Sequence, residues 1–188
     1  MPLIILGFIL FVIPHFFSSL MPGPRDRLMA RFGEGRYKGV YSAVTGLGLI
    51  LLILAYFIGR GSGEMLYAPT GALKHATLGL ATLGWIILAS AHGKSHIKLW
   101  VQNPMSVGIA LWSIAHLLVV GKLAVDGFYL ALLAVALVDI AVSMARGKTP
   151  DFQPRWRSDI IAIVVGLVLT AVFILLLHPY VFGVKVVG

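Results

Sequence analysis

The chain has 188 residues, 59% of them hydrophobic and 12% charged, with a mean hydropathy of +0.96. Soluble domains carry about a quarter charged residues, so soluble enzymes, repeat solenoids and disordered tails are excluded. The net charge of +8 fits short basic loops held against anionic lipid, and no segment reads as a nucleic-acid module. With no cysteine there are no disulfides, iron–sulfur clusters or covalently attached haem.

A bilayer span takes about 20 apolar residues, and only helices satisfy the backbone in lipid at this hydrophobicity. Six stretches qualify in chain order: Pro2 to Met21, Val40 to Gly59, Ala72 to Ala91, Pro104 to Val120, Val125 to Ala145 and Asp159 to His178. The first lacks a basic residue before its apolar run and a small-x-small site after it, so it reads as a retained helix rather than a signal peptide. Pro104 and Gly121 punctuate the fourth. Small residues such as Gly46 and Gly48, or Gly79 and Gly84, read as close helix packing. The expected fold is all-α: a polytopic membrane protein, a bundle of about six transmembrane helices in a single domain over residues 1–188.

Loops one, three and five hold eleven of the fifteen Lys and Arg residues, including Arg25, Arg31, Lys94, Lys98, Arg146 and Arg155. The positive-inside rule makes those loops cytoplasmic and puts both termini outside. Loops one and five also carry Phe32, Tyr37, Phe152 and Trp156, which suits ordered segments at the interface. Tyr180 to Gly188 follow His178-Pro179 as an interfacial return or a frayed end.

Ionisable groups inside a membrane are costly, so each is a functional candidate. His15, His116 and Asp139 lie within spans, and His75, His92, His96, Asp159 and His178 near span ends. His92 and His96 sit in a lysine-rich loop and read as solvated, as does His75 beside Lys74. His15 follows Pro14 in an apolar helix, while Trp112 and Ser113 precede His116 on one helix face. A buried imidazole needs a hydrogen-bond partner or a metal, so a satisfied structural histidine and a ligand stand side by side at both positions. Neutral imidazole is the usual axial donor for a b-type haem in a helical bundle, and zinc lacks cysteines or clustered carboxylates here. HExxH, P-loop and nucleophile-elbow motifs are absent. Asp139 is expected to orient or charge a neighbouring histidine, or to pair with a loop arginine such as Arg146.

Three ordered segments resemble the NnrU family of membrane proteins. They are PGPRDRLMARFGEGRYKGVYSAVTGLGLILLILAY (22–56) preceded by His15, NPMSVGIALWSIAHLLVVGKL (103–123) and RSDIIAIVVGLVLTAVFILLLHPYVFGV (157–184). The family is similar to ζ-carotene isomerase, a haem b membrane enzyme. Its two haem-ligating histidines match His15 and His116, with Trp112 and Ser113 beside the second. The isomerase has a cysteine where this chain has Ser113, and the family's Arg-His-Pro motif meets Asn103 here. The resemblance implies a bacterial inner-membrane protein that holds haem b and has a redox or accessory role in denitrification. It leaves two alternatives: a haem-dependent polyene isomerase taking a lipophilic small molecule, or a cofactor-free scaffold recruiting a reductase complex. At about 1.5 Å per residue, His15 lies roughly 8 Å and His116 roughly 18 Å from the inner face. Joint ligation by these two needs tilt or the Pro14 kink, and His178 and His75 are the alternate partners for His116.

Overall fold

The computed structural model describes residues 2–61, 65–68 and 70–186. They form helices α1 (Pro2–Leu20), α2 (Pro22–Phe32), α3 (Glu34–Gly59), α4 (Gly71–Ser90), α5 (His96–Val101), α6 (Pro104–Leu117), α7 (Leu123–Ala145) and α8 (Trp156–Val172). The last helix continues without a break as a π-helical segment over Phe173–Phe182. The chain is an all-α polytopic membrane protein: α1, α3, α4, α7 and the continuous Trp156–Phe182 helix are long and apolar enough to cross a bilayer.

Three boundaries differ from the sequence reading. The fourth apolar stretch becomes a helix of only 14 residues, ending at Leu117, about 21 Å long against a hydrocarbon core of about 30 Å. Its buried residues Pro104, Ser106, Gly108, Ala110, Ser113 and Ala115 form the face packed against α4 and α7, while Met105 and Ile114 are exposed. The second span begins at Glu34 rather than Val40, because Gly33 takes φ +87° and turns α2 straight into α3. The last span runs on past His178 through Pro179 to Phe182, and Val187 and Gly188 lie outside the described residues.

Adjacent helices follow the order α3–α1–α7–α6–α4–α8, and α3 also touches α7. Small residues set the close crossings, since lipid supplies no hydrophobic drive between helices and only packing holds them. A Cβ on Gly48 would stand 2.6 Å from Phe11 N, one on Gly108 2.8 Å from Gly84 O, and one on Gly166 2.6 Å from Ile86 Cα. Gly46 and Gly79, also expected at crossings, have nothing within 4 Å and face outward. The accessible surface is 11148 Å², above the roughly 8,800 Å² of a compact soluble protein of this mass. Exposed Ile5, Ile13, Ile50, Ile58, Ile160 and Val168 form part of that surface, which is the lipid-facing side of the bundle.

Loops one, three and five meet at one end. Arg146 Nη2 donates to Ser19 O at 2.5 Å, and Arg155 N to Lys94 O at 2.8 Å. Loops two and four and the last helix's C-terminus meet at the other, where Leu66 N donates to Gly121 O at 2.6 Å and Arg60 Nη1 to Phe182 O at 2.9 Å. The arginine-rich segments thus share one end, hereafter the basic end, as the charge count requires. Loop one is itself helical: α2 buries no residue and carries Arg25, Arg27 and Arg31, the character of a helix lying in the interface.

Candidate functional site

At the far end of the bundle, eight rings close a circuit. His116 lies against Trp112 (centroids 4.3 Å) and Tyr129 (4.6 Å), and Tyr129 against Tyr56 (6.4 Å). Tyr56 meets Phe182 (5.8 Å), which meets His178 (5.6 Å), which in turn meets Phe173 (6.4 Å). Phe173 reaches Trp85 (4.8 Å), and Trp85 returns to Trp112 (6.3 Å). Across the circuit, His116 and His178 are 6.2 Å apart with planes 17° from parallel.

These rings bridge a gap between backbones. Among the described residues, no Cα of Phe173–Phe182 comes within 8 Å of a Cα in any helix other than α8. The segment therefore stands off from the bundle, and side chains alone span the space. Pro179 contributes: it lacks an N–H and its ring collides with the carbonyl four residues back, which an α-helix cannot accommodate. The wider π-helix relieves this clash, and such stretches are frequent at functional sites.

Both histidines have a fixed tautomer. His116 Nδ1 lies 2.8 Å from Trp112 O, and His178 Nδ1 lies 2.9 Å from Phe173 O. A carbonyl oxygen only accepts, so Nδ1 carries the proton and donates. That leaves Nε2 on each ring as a bare lone pair, the form in which histidine binds a metal. Among the described residues neither Nε2 has a hydrogen-bond partner.

His15 is built the same way but elsewhere. Its Nδ1 donates to Phe11 O at 2.6 Å, and its ring sits 5.5 Å from Tyr41. It lies one turn from the basic end of α1, whereas His116 lies at the far end of α6. Helices α1 and α6 do not touch among the described residues; α7 packs between them. The structure therefore brings His116 together with His178 and keeps His15 apart. His75 is exposed on α4 and joins neither.

Asp139 is engaged with the start of α6 instead of with a histidine. Its Oδ2 accepts from Asn103 Nδ2 at 2.8 Å and Ser106 Oγ at 2.5 Å, while Asn103 Oδ1 caps Ser106 N at 3.5 Å. Arg146, the other expected partner, is bonded to Ser19. Asn103 and Ser106 together thus tie the start of α6 to α7. Ser113 is fully buried, and its Oγ has no partner among the described residues.

His96 is not simply solvated. Its Nδ1 meets Asp159 Oδ2 at 2.7 Å, its ring stacks on Trp156 at 4.2 Å, and Asp159 Oδ1 accepts from Ile97 N at 3.1 Å. This clamp fixes loop three to the start of α8. Sequence reasoning passed over it because a partner 63 residues away leaves no local signal. Tyr129, Tyr56 and Trp85 were also missed, since aromatics near helix ends ordinarily read as an interfacial belt.

A family model described as NnrU protein matches residues 3–186. The chain belongs to the NnrU family. No curated protein and no solved structure matches it significantly. The NnrU match covers nearly every residue of the bundle, so both the His116–His178 circuit and the Asp139 anchor lie inside the family's own domain.

Proposed function

We propose that this NnrU-family chain binds haem b between His116 and His178 and serves a redox or accessory role in nitrogen-oxide metabolism at the bacterial inner membrane. The carrying observation is the pair of near-parallel imidazoles 6.2 Å apart, each with Nδ1 bonded and Nε2 uncommitted. Those two Nε2 atoms are the donors that would hold haem b. A pair suffices for haem, because the porphyrin supplies four donors itself. A bare zinc site needs three or four protein donors, and the described residues hold no cluster of three His, Cys, Asp or Glu side chains suited to a metal.

When bound, haem supplies one-electron redox chemistry. The chain's own contribution is to hold both imidazoles in the ligating tautomer and to surround them with the rings of Trp112, Tyr129 and Phe182. NnrU membership supports the link to nitrogen oxides, and the basic end supports cytoplasmic loops one, three and five. The stand-off of Phe173–Phe182, with Leu175 and Leu176 turned outward, favours one second reading: a lipophilic molecule, such as a polyene, entering from the bilayer.

The test is a reduced-minus-oxidised visible spectrum of protein purified from haem-sufficient cells. A b-type α band at about one haem per chain is expected. A colourless protein that also fails to take up added haem overturns the proposal and leaves a cofactor-free scaffold.

A further inference from the structure

We propose that Arg60 and Lys122 form a clamp for the two carboxylates of the bound ligand, the haem propionates, so that the macrocycle enters with its acidic edge towards the far end of the bundle. This inference rests on the haem reading above. Arg60 follows α3, and its Nη1 donates to Val181 O at 3.2 Å and Phe182 O at 2.9 Å. Lys122 precedes α7, and its Nζ donates to Arg60 O at 2.9 Å. Arg60 thus reaches the C-terminus of the π-helical segment, one turn beyond His178, and Lys122 is held against the Arg60 main chain.

The link to the histidine pair is continuous. Arg60 Cζ lies 4.9 Å from the Phe57 ring, Phe57 stacks on Phe182 at 5.9 Å with planes 10° apart, and Phe182 lies 5.6 Å from His178. A helix C-terminus carries partial negative charge that repels an anion. Here the Arg60 guanidinium covers those carbonyls, so the end facing an incoming carboxylate is cationic. Arg60 keeps Nε and Nη2, and Lys122 keeps further ammonium hydrogens, without partners among the described residues.

Haem is amphipathic: an apolar macrocycle with two carboxylates on one edge. The aromatic circuit accepts the apolar part, and a carboxylate turned towards the interior would be desolvated without a charge partner. Arginine and lysine are the side chains that compensate a carboxylate, arginine through its planar fork. The match is two cations to two carboxylates, at the end of the bundle where the site meets water.

The experiment titrates purified protein, in neutral detergent, with ferric haem and with haem whose two carboxylates are methyl esters. The wild-type protein is expected to bind haem at least tenfold more tightly than the diester, with the same bis-imidazole spectrum for both. Arg60→Gln/Lys122→Gln is expected to bind both forms alike, at the wild-type diester affinity; glutamine retains an N–H for the Val181 and Phe182 carbonyls. Equal affinity of the wild-type protein for the two forms overturns the clamp, leaves the haem reading intact and assigns the cations to capping the segment. Persistence of the preference in the double variant overturns it too. If the wild-type protein binds neither form, the haem reading fails and the clamp with it. If the double variant does not fold, Lys122→Gln alone carries the assignment: a smaller preference for haem over the diester is expected, and an unchanged preference overturns the clamp.

Discussion

Replacing Gly108 by alanine places a methyl group in the closest contact between α4 and α6. The new Cβ would stand 2.8 Å from Gly84 O and 2.9 Å from both Leu88 N and Leu88 Cβ, where ordinary contact begins at 3.4 Å. Two of those three atoms are backbone and cannot swing aside, so α6 must retreat by about half an ångström. Overpacking of this kind costs about 1–3 kcal/mol, and alanine's better helix propensity returns at most about 1 kcal/mol. The net loss is up to about 2 kcal/mol, which for a domain of this size lowers Tm by up to about 8 °C. Gly79→Ala on α4 is the control: nothing lies within 4 Å of its Cβ, so Tm should hold or rise slightly. Thermal unfolding followed by circular dichroism in detergent measures both. Because α6 carries Trp112 and His116, Gly108→Ala should also weaken haem uptake while Gly79→Ala leaves it unchanged. Equal Tm values for the two variants would refute the small-residue crossing.

Three further outcomes follow from the contacts. Asp139→Asn keeps an acceptor for Asn103 and Ser106 but loses its charge, so stability should fall by about 1 kcal/mol; the haem spectrum should not change, and its loss at unaltered Tm would place the carboxylate at the cofactor after all. His96→Ala removes the imidazole hydrogen bond to the Asp159 carboxylate, a loss of about 1.5–3 kcal/mol for a hydrogen bond to a charged group. Adding Asp159→Asn should recover part of that Tm, and an additive double variant would show that the two side chains are not coupled. The absence of cysteine makes topology directly testable with an impermeant maleimide. Lys148→Cys should label from the cytoplasmic side alone and Leu66→Cys from the opposite side alone; the reverse pattern, or both from one side, would contradict the orientation.

Much of the fold was legible because lipid imposes simple rules. Long apolar runs gave the spans, and the lysine and arginine count grouped loops one, three and five, which the structure brings to one end. The boundaries that slipped did so for tertiary reasons. The helix beginning at Pro104 stops at Leu117, and its packing on α4 and α7 through small residues leaves no hydropathy signal of that boundary. The final helix passes through His178-Pro179 because a π-helix absorbs the proline, and no hydropathy pattern encodes that. Gly48 and Gly84 were readable as packing residues, but Gly46 and Gly79, of the same type and spacing, face outward; composition does not say which side of a helix meets a neighbour.

The candidate site was half legible. His15 and His116 stood out because ionisable groups inside apolar helices are rare, Trp112 entered as the neighbour of His116, and His178 only as an alternate partner near a span end. Which histidines meet could not be read, since that depends on helix order, and the order places α7 between His15 and His116. The depth mismatch of roughly 10 Å counted along the two spans already pointed that way. Asp139 was singled out as an ionisable group within a span, but its partners, Asn103 and Ser106, sit at the start of another helix and carry no sequence signature.

The most direct test of the account is haem titration of His116→Ala, His178→Ala and His15→Ala in parallel, read by the low-spin bis-imidazole spectrum. Loss of that spectrum in the first two variants and its retention in His15→Ala is the predicted result. Retention in His178→Ala with loss in His15→Ala would contradict the pairing of α6 with the π-helical segment and restore the ligand pair that the family resemblance implies.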